Sequence, residues 1–366
     1  MSRLVSMIIF ITIASTVYFG IHYFVFKSLT RSILQSQDLQ KILAWLFWIS
    51  GLSFIAHQFM GHTLNIHLLG YYAYTWMGVI AIAFFFFLLQ RGLAKFFPAQ
   101  NNPLAIFFLV IIGLISLYSL FNGMQTPRVK TVTIPVKQLP QSMSGFTIVQ
   151  LSDMHLDGYK GMGVIAKIVA RVNALKPDLI VITGDLIDGD VSEDPAFCQQ
   201  LKQLTARHGV LAITGNHEYY AGLQTFLHLA QCSNITVLRN QAITLSNGLQ
   251  VIGLEDDEGQ RFNSGGPDLE KAMVGCDASK PIILLYHRPF FSATAIQKGV
   301  DLQLSGHTHA GQIPPMDLLV WLYYKYPAGL YEKDGSYIYT SPGTGYWGPA
   351  MRFLSKSEIT LFRLVP

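Results

Sequence analysis

Two textures of apolar and polar positions divide the chain. Up to about residue 125, four long runs (5–26, 42–60, 68–89 and 104–122) contain no Asp, Glu, Lys or Arg. Each is close to the ~20 residues that carry a helix across a bilayer. After Gly145 the apolar runs shorten. Those at 146–151, 179–183, 210–214, 249–254, 281–286 and 302–305 read as buried strands. Between the first two, Ile165, Ile168, Val169, Val172 and Leu175 recur at helical spacing and stop before Pro177. Residues 125–140, with Pro127, Pro135 and Pro140, read as a linker and an edge strand. Strands alternating with amphipathic helices predict a layered α/β domain. The expected organisation is therefore a membrane anchor of four transmembrane helices over 1–125, followed by an α/β domain over 126–366.

Composition sharpens this division. The 366 residues are 51% hydrophobic and only 13% charged, against about 25% charged in ordinary soluble domains. Residues 1–125 hold one acid, Asp38, and six bases, so the rest is nearly neutral, with 21 acids and 20 bases. No basic stripe is present, and nucleic acid is not expected as a partner. A first apolar run alone would suit a signal peptide, but three more follow, so anchoring in a lipid bilayer is the better reading. Tyr71, Tyr72, Tyr74 and Trp76 crowd the start of the third run, as interfacial aromatics do. The loops 27–41 and 90–103 carry five bases, against Arg3, Arg128, Lys130 and Lys137 on the other side. That bias predicts a multi-pass protein of the cell (inner) membrane with its C-terminal domain facing outward. The uncharged runs speak against a transporter or ion path.

Chemistry concentrates in five short pieces, each after an apolar run: Asp153-Met154-His155, Gly184-Asp185-Leu186-Ile187-Asp188, Gly215-Asn216-His217-Glu218, Tyr286-His287 and Gly306-His307-Thr308-His309. Loops at strand ends converge on one sheet edge, where ligands are commonly gathered. Asp153 and His155, like His307 and His309, are two apart, a spacing that aims both side chains one way in an extended chain. Asp185 is placed to bridge two ions, and Asn216 offers a neutral amide oxygen. The candidate metal ligands are Asp153, His155, Asp185, Asn216, His287, His307 and His309. Four imidazoles with two carboxylates suit two divalent ions of Mn, Fe, Zn or Ni rather than Mg or Ca. Two such ions, two carboxylates and a hydroxide leave one net positive charge, attractive to a phosphodiester. Paired ions would acidify a bridging water and stabilise in-line displacement at phosphorus. His217 is the candidate catalytic proton donor to the leaving oxygen, and Asp188 is expected to orient it or a ligand.

The remaining candidates carry less. His22, His57, His62 and His67 read as interfacial or packed histidines, and His208 and His228 have no motif context. Cys198, Cys232 and Cys276 form no CxxC pair. A disulfide framework is not expected, and the cysteines read as small core residues.

The five motifs, in this order, resemble the calcineurin-like metallophosphoesterase superfamily over roughly residues 130–366. Gly311-Gln312, Ala328-Gly329-Leu330-Tyr331, the run Gly343-Thr344-Gly345-Tyr346-Trp347-Gly348, Arg352 and Glu358-Ile359-Thr360 extend the likeness to its membrane-associated bacterial YkuE- and YaeI-like branch. Ala310 stands where that branch commonly has glycine. The resemblance implies a calcineurin-like double β-sandwich flanked by helices. It implies Asp153, His155, Asp185 and His309 on one ion, and Asp185, Asn216, His287 and His307 on the other. It also implies a metal-dependent phosphoesterase acting on a phosphodiester or pyrophosphate bond, with lipid-linked or cell-envelope substrates as the leading class. A phosphatase of soluble nucleotides or small phosphoesters would use the same core, whereas a silent scaffold should have lost ligands, and none is missing. Residues 316–331, rich in Leu, Trp and Tyr, read either as an apolar rim facing the bilayer or as packing within the domain.

Overall fold

The computed structural model describes residues 3–64, 67–157, 162–189, 191 and 195–366. The chain divides into two compact units. One holds Met1–Met124 with two short later segments, Ile313–Met316 and Gly348–Leu354. The other holds Gln125–Gln312, Asp317–Trp347 and Ser355–Pro366.

The first unit is helical: α1 (Arg3–Ser32), α2 (Gln37–Leu64), α3 (His67–Phe96) and α4 (Asn101–Gly123). Among the described residues, Gln37–Gln58, Leu68–Phe96 and Pro98–Gly123 are long and apolar enough to cross a membrane. The further run expected at 5–26 lies in α1, part of whose side chains lies outside the described residues. The core of this unit joins Val25, Phe47, Ile80, Ile82, Phe87 and Ile112 to Ile313 and Met351 of the two late segments. Ser119 O accepts from Arg352 N, and Asn122 Nδ2 donates to Arg352 O, both at 2.8 Å. His22 is buried, donates from Nδ1 to Tyr18 O at 2.9 Å and accepts from Trp76 Nε1 at 3.0 Å. Both ring nitrogens are used, so this is a packed neutral imidazole. His57 is buried beside Tyr74, while the side chains of His62 and His67 lie outside the described residues.

The second unit is built on two six-stranded sheets. The first contains β1 (Arg128–Pro135), β2 (Thr147–Leu151), β3 (Leu179–Thr183), β4 (Val210–Ile213), β5 (Thr236–Val237) and, inserted between β1 and β2, β12 (Glu358–Val365). The second contains β6 (Gln241–Thr244), β7 (Gln250–Gly253), β8 (Ile282–Leu285), β9 (Leu302–Ser305), β10 (Gly329–Lys333) and β11 (Ser336–Thr340), in the order β10-β11-β9-β8-β7-β6. Strands β2, β3 and β4 run parallel, as do β7, β8 and β9. The helices are α5 (Met162–Ala174), α6 (Pro195–Leu201), α7 (His217–Ala221), α8 (Leu223–Cys232), α9 (Glu258–Arg261), α10 (Leu269–Ala272), α11 (Ala293–Gln297) and α12 (Met316–Tyr323).

The two-residue period of a strand decides which side chain enters which layer. Ile148, Leu179 and Val181 of the first sheet meet Ile283, Leu285, Leu302 and Leu304 of the second in a central core. The alternate residues Val149, Leu151, Ile180 and Ile182 face outward and are covered by Ile165, Ile168, Val169 and Val172 of α5 and by α6 and α8. Ile282 and Leu284 are covered on the far side by a third cluster that includes Ala272 and Ala295. The result is the expected pair of packed sheets flanked by helices.

One expectation fails. Cys198 on α6 and Cys232 on α8 form a disulfide, with Cα atoms 5.7 Å apart, and both are only part-buried; Cys276 is free. Their separation of 34 residues follows no local motif. The pair exists because both helices pack on the same face of the first sheet.

Candidate metal centre

All five motifs begin where a parallel strand stops. Asp153 follows β2, Asp185 follows β3, Asn216 and His217 follow β4, His287 follows β8, and His307 and His309 follow β9. The first two loops run side by side: Asp153 N donates to Gly184 O at 3.1 Å and His155 N to Asp185 O at 3.0 Å. Gly184 has φ 90°, and a Cβ there would lie 2.6 Å from His287 Nδ1, so both conformation and space call for glycine.

The i, i+2 pairs are not extended. Asp153 (φ 53°), His155 (φ 47°), Asp185 (φ 50°), His307 (φ 72°) and His309 (φ 50°) all lie in the left-handed region. The side chains of Asp153 and His155 converge through kinked turns rather than a pleated strand, whereas His307 and His309 part to different clusters. A non-glycine residue in this region costs about 1 kcal/mol or more, which clusters at functional sites.

The side chains meet in a small volume. Asp153, His155 and His309 present three ligand atoms within 4.8 Å of one another, as do Asp185, His287 and His307, and as do His155, Asp185 and His217. His155 Nε2 and His309 Nε2 are 3.0 Å apart, and His307 Nδ1 and His287 Nε2 are 3.2 Å apart. His287 Nε2 lies 3.1 Å from Asp185 Oδ2. Backbone amides also reach both carboxylates: His307 N donates to Asp153 Oδ1, whose Oδ2 accepts from Ser152 Oγ, and His217 N donates to Asp185 Oδ1, which leaves Oδ2 toward His287; both amide bonds are 2.9 Å. His287 Nδ1–H donates to Thr183 O at 2.8 Å, which fixes the tautomer and leaves Nε2 facing the site.

Charge in this volume is strongly perturbed. Burial alone would raise Asp185, but the imidazoles of His287, His217 and His155 outweigh it and hold the carboxyl well below its usual range. Burial dominates at Asp153 and pushes it up. Burial would lower His287, yet Asp185 and Asp153 push it up to about 10. Burial and the charge of His287 push His307 down to about 3.

His217 stands at the start of α7, its Nδ1 2.5 Å from Asp188 Oδ1. Burial opposes its protonation, but the Asp188 bond and the Asp185 charge raise its pKa.

Two residues went unassigned from sequence. Glu218 is fully buried, and its carboxylate accepts four backbone N–H groups: Gly215 at 2.6 Å and Asp185 at 2.9 Å on one oxygen, Leu186 at 2.7 Å and Ile187 at 3.2 Å on the other. Burial and Asp185 nonetheless push its carboxyl up to about 7. Arg288, next to His287, grips Asp256 with two bonds of 2.8 and 2.9 Å. The signal was their place in the motifs, Glu218 two residues after Asn216 and Arg288 directly after His287. His208 packs against Phe146, away from these loops.

The donor set fits divalent ions. Asn216 Oδ1 is buried with no hydrogen-bond partner among the described residues. An orphaned buried oxygen next in the chain to His217, whose amide bonds Asp185, is what a cation would satisfy.

A family model for the calcineurin-like phosphoesterases matches residues 146–311. An uncharacterised metallophosphoesterase of Campylobacter jejuni is 31% identical over 361 residues, covering 94% of this chain and 96% of that one. The chain belongs to the calcineurin-like metallophosphoesterases. YkuE of Bacillus subtilis, in the same family, is 35% identical over 63% of this chain and 83% of its own. A transmembrane protein with a metallophosphoesterase domain from Danio rerio is 39% identical over 264 residues, and the chain spans 60% of that protein's length. Members of the family use a dinuclear metal centre, and the clusters around Asp153 and Asp185 are the candidate positions for it here.

Proposed function

We propose that this protein is a membrane-anchored, metal-dependent phosphoesterase that hydrolyses a phosphodiester or pyrophosphate bond in a lipid-linked or cell-envelope substrate. The observation that carries the reading is the convergence of two three-residue clusters, around Asp153 and around Asp185, beside a paired His217–Asp188. Asp153, His155, Asp185 and His309 would hold one divalent ion, and Asp185, Asn216, His287 and His307 the other. Mn, Fe, Zn or Ni suits this nitrogen-rich set. When bound, such ions supply Lewis-acid polarisation of phosphoryl oxygens and an acidified water.

The chain's own residues supply the rest. His217, held charged by Asp188, donates its proton to the leaving oxygen. Asp188 fixes the ring so that the other nitrogen is the one offered. The amide of His217 holds Asp185 Oδ1 and leaves Oδ2 toward the imidazoles, while the amide of His307 and the hydroxyl of Ser152 fix the two oxygens of Asp153. Glu218 locks the Asp185 and Asn216 loops together, and Arg288 braces the turn after His287 through Asp256.

The Cys198–Cys232 disulfide supports an outward-facing catalytic domain, because such bonds persist in oxidising compartments. The five bases in loops 27–41 and 90–103, against four on the other side, support the same orientation.

The test is hydrolysis of bis(p-nitrophenyl) phosphate and p-nitrophenyl phosphate by the full-length protein with Mn, Zn, Mg or chelator, beside Asp185→Asn and His217→Ala. Metal-dependent turnover lost in both variants is expected. Turnover that survives Asp185→Asn, or that needs no metal, would overturn the reading. For orientation, alkaline phosphatase fused after Pro366 should be active in cells, and an inactive fusion with a fluorescent cytoplasmic counterpart would reverse the assignment.

A further inference from the structure

The helix α12 has no buried residue, although seven of its eight residues are apolar: Met-Asp-Leu-Leu-Val-Trp-Leu-Tyr. Leu318, Leu319, Trp321, Leu322 and Tyr323 are between 50% and 76% exposed. Exposed apolar residues therefore spread over more than half of the helix's circumference, Asp317 and Val320 on the remaining side being part-buried, and its single charge is Asp317. A helix of two turns is not stable in water by itself, and one that is apolar all round is ordinarily covered by protein or lipid.

Its two ends say what covers it. At the start, Met316 closes the segment Ile313–Met316, which belongs to the unit of membrane-spanning length, and Ile313 is buried in that unit's apolar core beside Ile80 and Ile82. At the finish, Tyr324 lies with its ring 5.9 Å from His307. Thr308, between the two histidines of the last motif, donates to Pro327 O at 2.7 Å. Gln312 exchanges two bonds of 2.9 and 3.1 Å with the backbone of Trp347. Along the chain, α12 thus follows a segment that belongs to the helical unit and precedes residues that pack on the metal-site loop. The run Trp321, Tyr323, Tyr324, Lys325 at the end of a Leu-rich helix has the chemistry of a segment at the depth of lipid headgroups.

We infer that α12 lies in the interfacial layer of the bilayer and presents the metal centre to phosphoesters carried by membrane-resident lipids. The inference rests on the phosphoesterase reading for its substrate, and on α12 alone for its membrane contact. Of the two readings that the sequence left open for residues 316–331, it takes the rim facing the bilayer.

Two measurements separate these parts. The first places a nitroxide at Leu322→Cys in a Cys276→Ser background, with the full-length protein in vesicles of phosphatidylethanolamine and phosphatidylglycerol. A label at Val274→Cys, 80% exposed and in the same unit as Leu322, is the reference for water. The Leu322 label should collide more with oxygen than with a water-soluble nickel chelate, and the Val274 label the reverse. Preference for nickel at Leu322 would overturn the inference. The second compares hexadecyl p-nitrophenyl phosphate in vesicles with ethyl p-nitrophenyl phosphate in solution, which share a leaving group. Trp321→Ser/Leu322→Ser should lower kcat/KM about tenfold on the lipid ester and less than about twofold on the soluble one. Equal loss on both would make α12 part of the domain's own packing, and no loss on either would remove its role; both overturn the inference. No turnover of either ester by the unaltered protein would sink the phosphoesterase reading and leave the label to decide the position of α12.

Discussion

Replacing Glu218 with Gln tests the architecture of the site without touching a candidate ligand. The side chains are nearly isosteric, so the change is one of hydrogen-bonding character. The carboxylate oxygens accept Gly215 and Asp185 on one side, Leu186 and Ile187 on the other. A glutamine keeps one acceptor and turns an NH2 group toward the other two amides. Two buried N–H groups then lose their partner, and each such loss costs about 1–3 kcal/mol. The total is about 2–6 kcal/mol, reduced by whatever is recovered from no longer burying a charge. For a unit of this size 1 kcal/mol is worth ~2–4 °C in Tm, so a fall of up to about 24 °C, and of about 4 °C at the low end, is expected by differential scanning fluorimetry of the full-length protein in detergent. Because the four amides belong to the Asp185 and Asn216 loops, metal content should fall as well, read as metal equivalents by mass spectrometry. Asp at 218 keeps the charge but reaches less far, and should fall between. Unchanged Tm and full metal content in Glu218→Gln would refute the claim that this carboxylate holds the two loops.

Four further outcomes follow. A Cβ on Gly306 would collide with Ser152 Oγ and Asp153 Oδ2, so Gly306→Ala should displace the Asp153 carboxylate and cost one metal equivalent; two equivalents retained would contradict the packing. His217→Ala should lower kcat by roughly 10²–10⁴ with little change in metal content, and a loss of metal instead would make His217 a ligand. In Asp188→Asn the influence that raises His217 is removed. A protonated donor is lost as pH rises through its pKa, so the basic limb of the kcat profile should move to lower pH; no movement, or movement upward, would deny His217 the donor role. Saturating chelator should lower Tm by ~5–10 °C, as a ligand at ~100 times Kd contributes about 2.7 kcal/mol, and Asp185→Asn should erase most of that difference.

The strands of the site were legible because parallel strands covered on both faces are continuous apolar runs with sharp ends. The runs at 179–183 and 302–305 coincide with β3 and β9, and the other four expected strands differ by a residue or two at their ends. The ligand loops were legible because Gly, Asp, Asn and His interrupt those runs at once. What was not legible depends on pairs of elements. The Cys198–Cys232 bond needs α6 and α8 on one face of the sheet. The role of Glu218 needs a loop some thirty residues earlier to lie beneath it. The membership of Ile313–Met316 and Gly348–Leu354 in the helical unit comes from packing, since neither segment has the length of a span.

The strained backbone and the buried charge point to one physical coupling. Five candidate ligands sit in left-handed conformations, each less stable than a right-handed or extended alternative. Asp153, Asp185 and Glu218 are all buried, and the first two lie among the same imidazoles. Without a cation, several of those imidazoles must carry protons to balance the carboxylates, as the raised pKa values of His287 and His217 indicate. A divalent ion would displace the protons, satisfy Asn216 Oδ1 and compensate the strained turns in one step. Metal uptake should therefore release protons and weaken as pH falls. It should also tighten the same loops that Glu218 holds from below, so the effects of chelation and of Glu218→Gln should be less than additive. Full additivity would mean that the amide clamp and the metal centre are independent, and that the left-handed turns owe their conformation to the clamp alone.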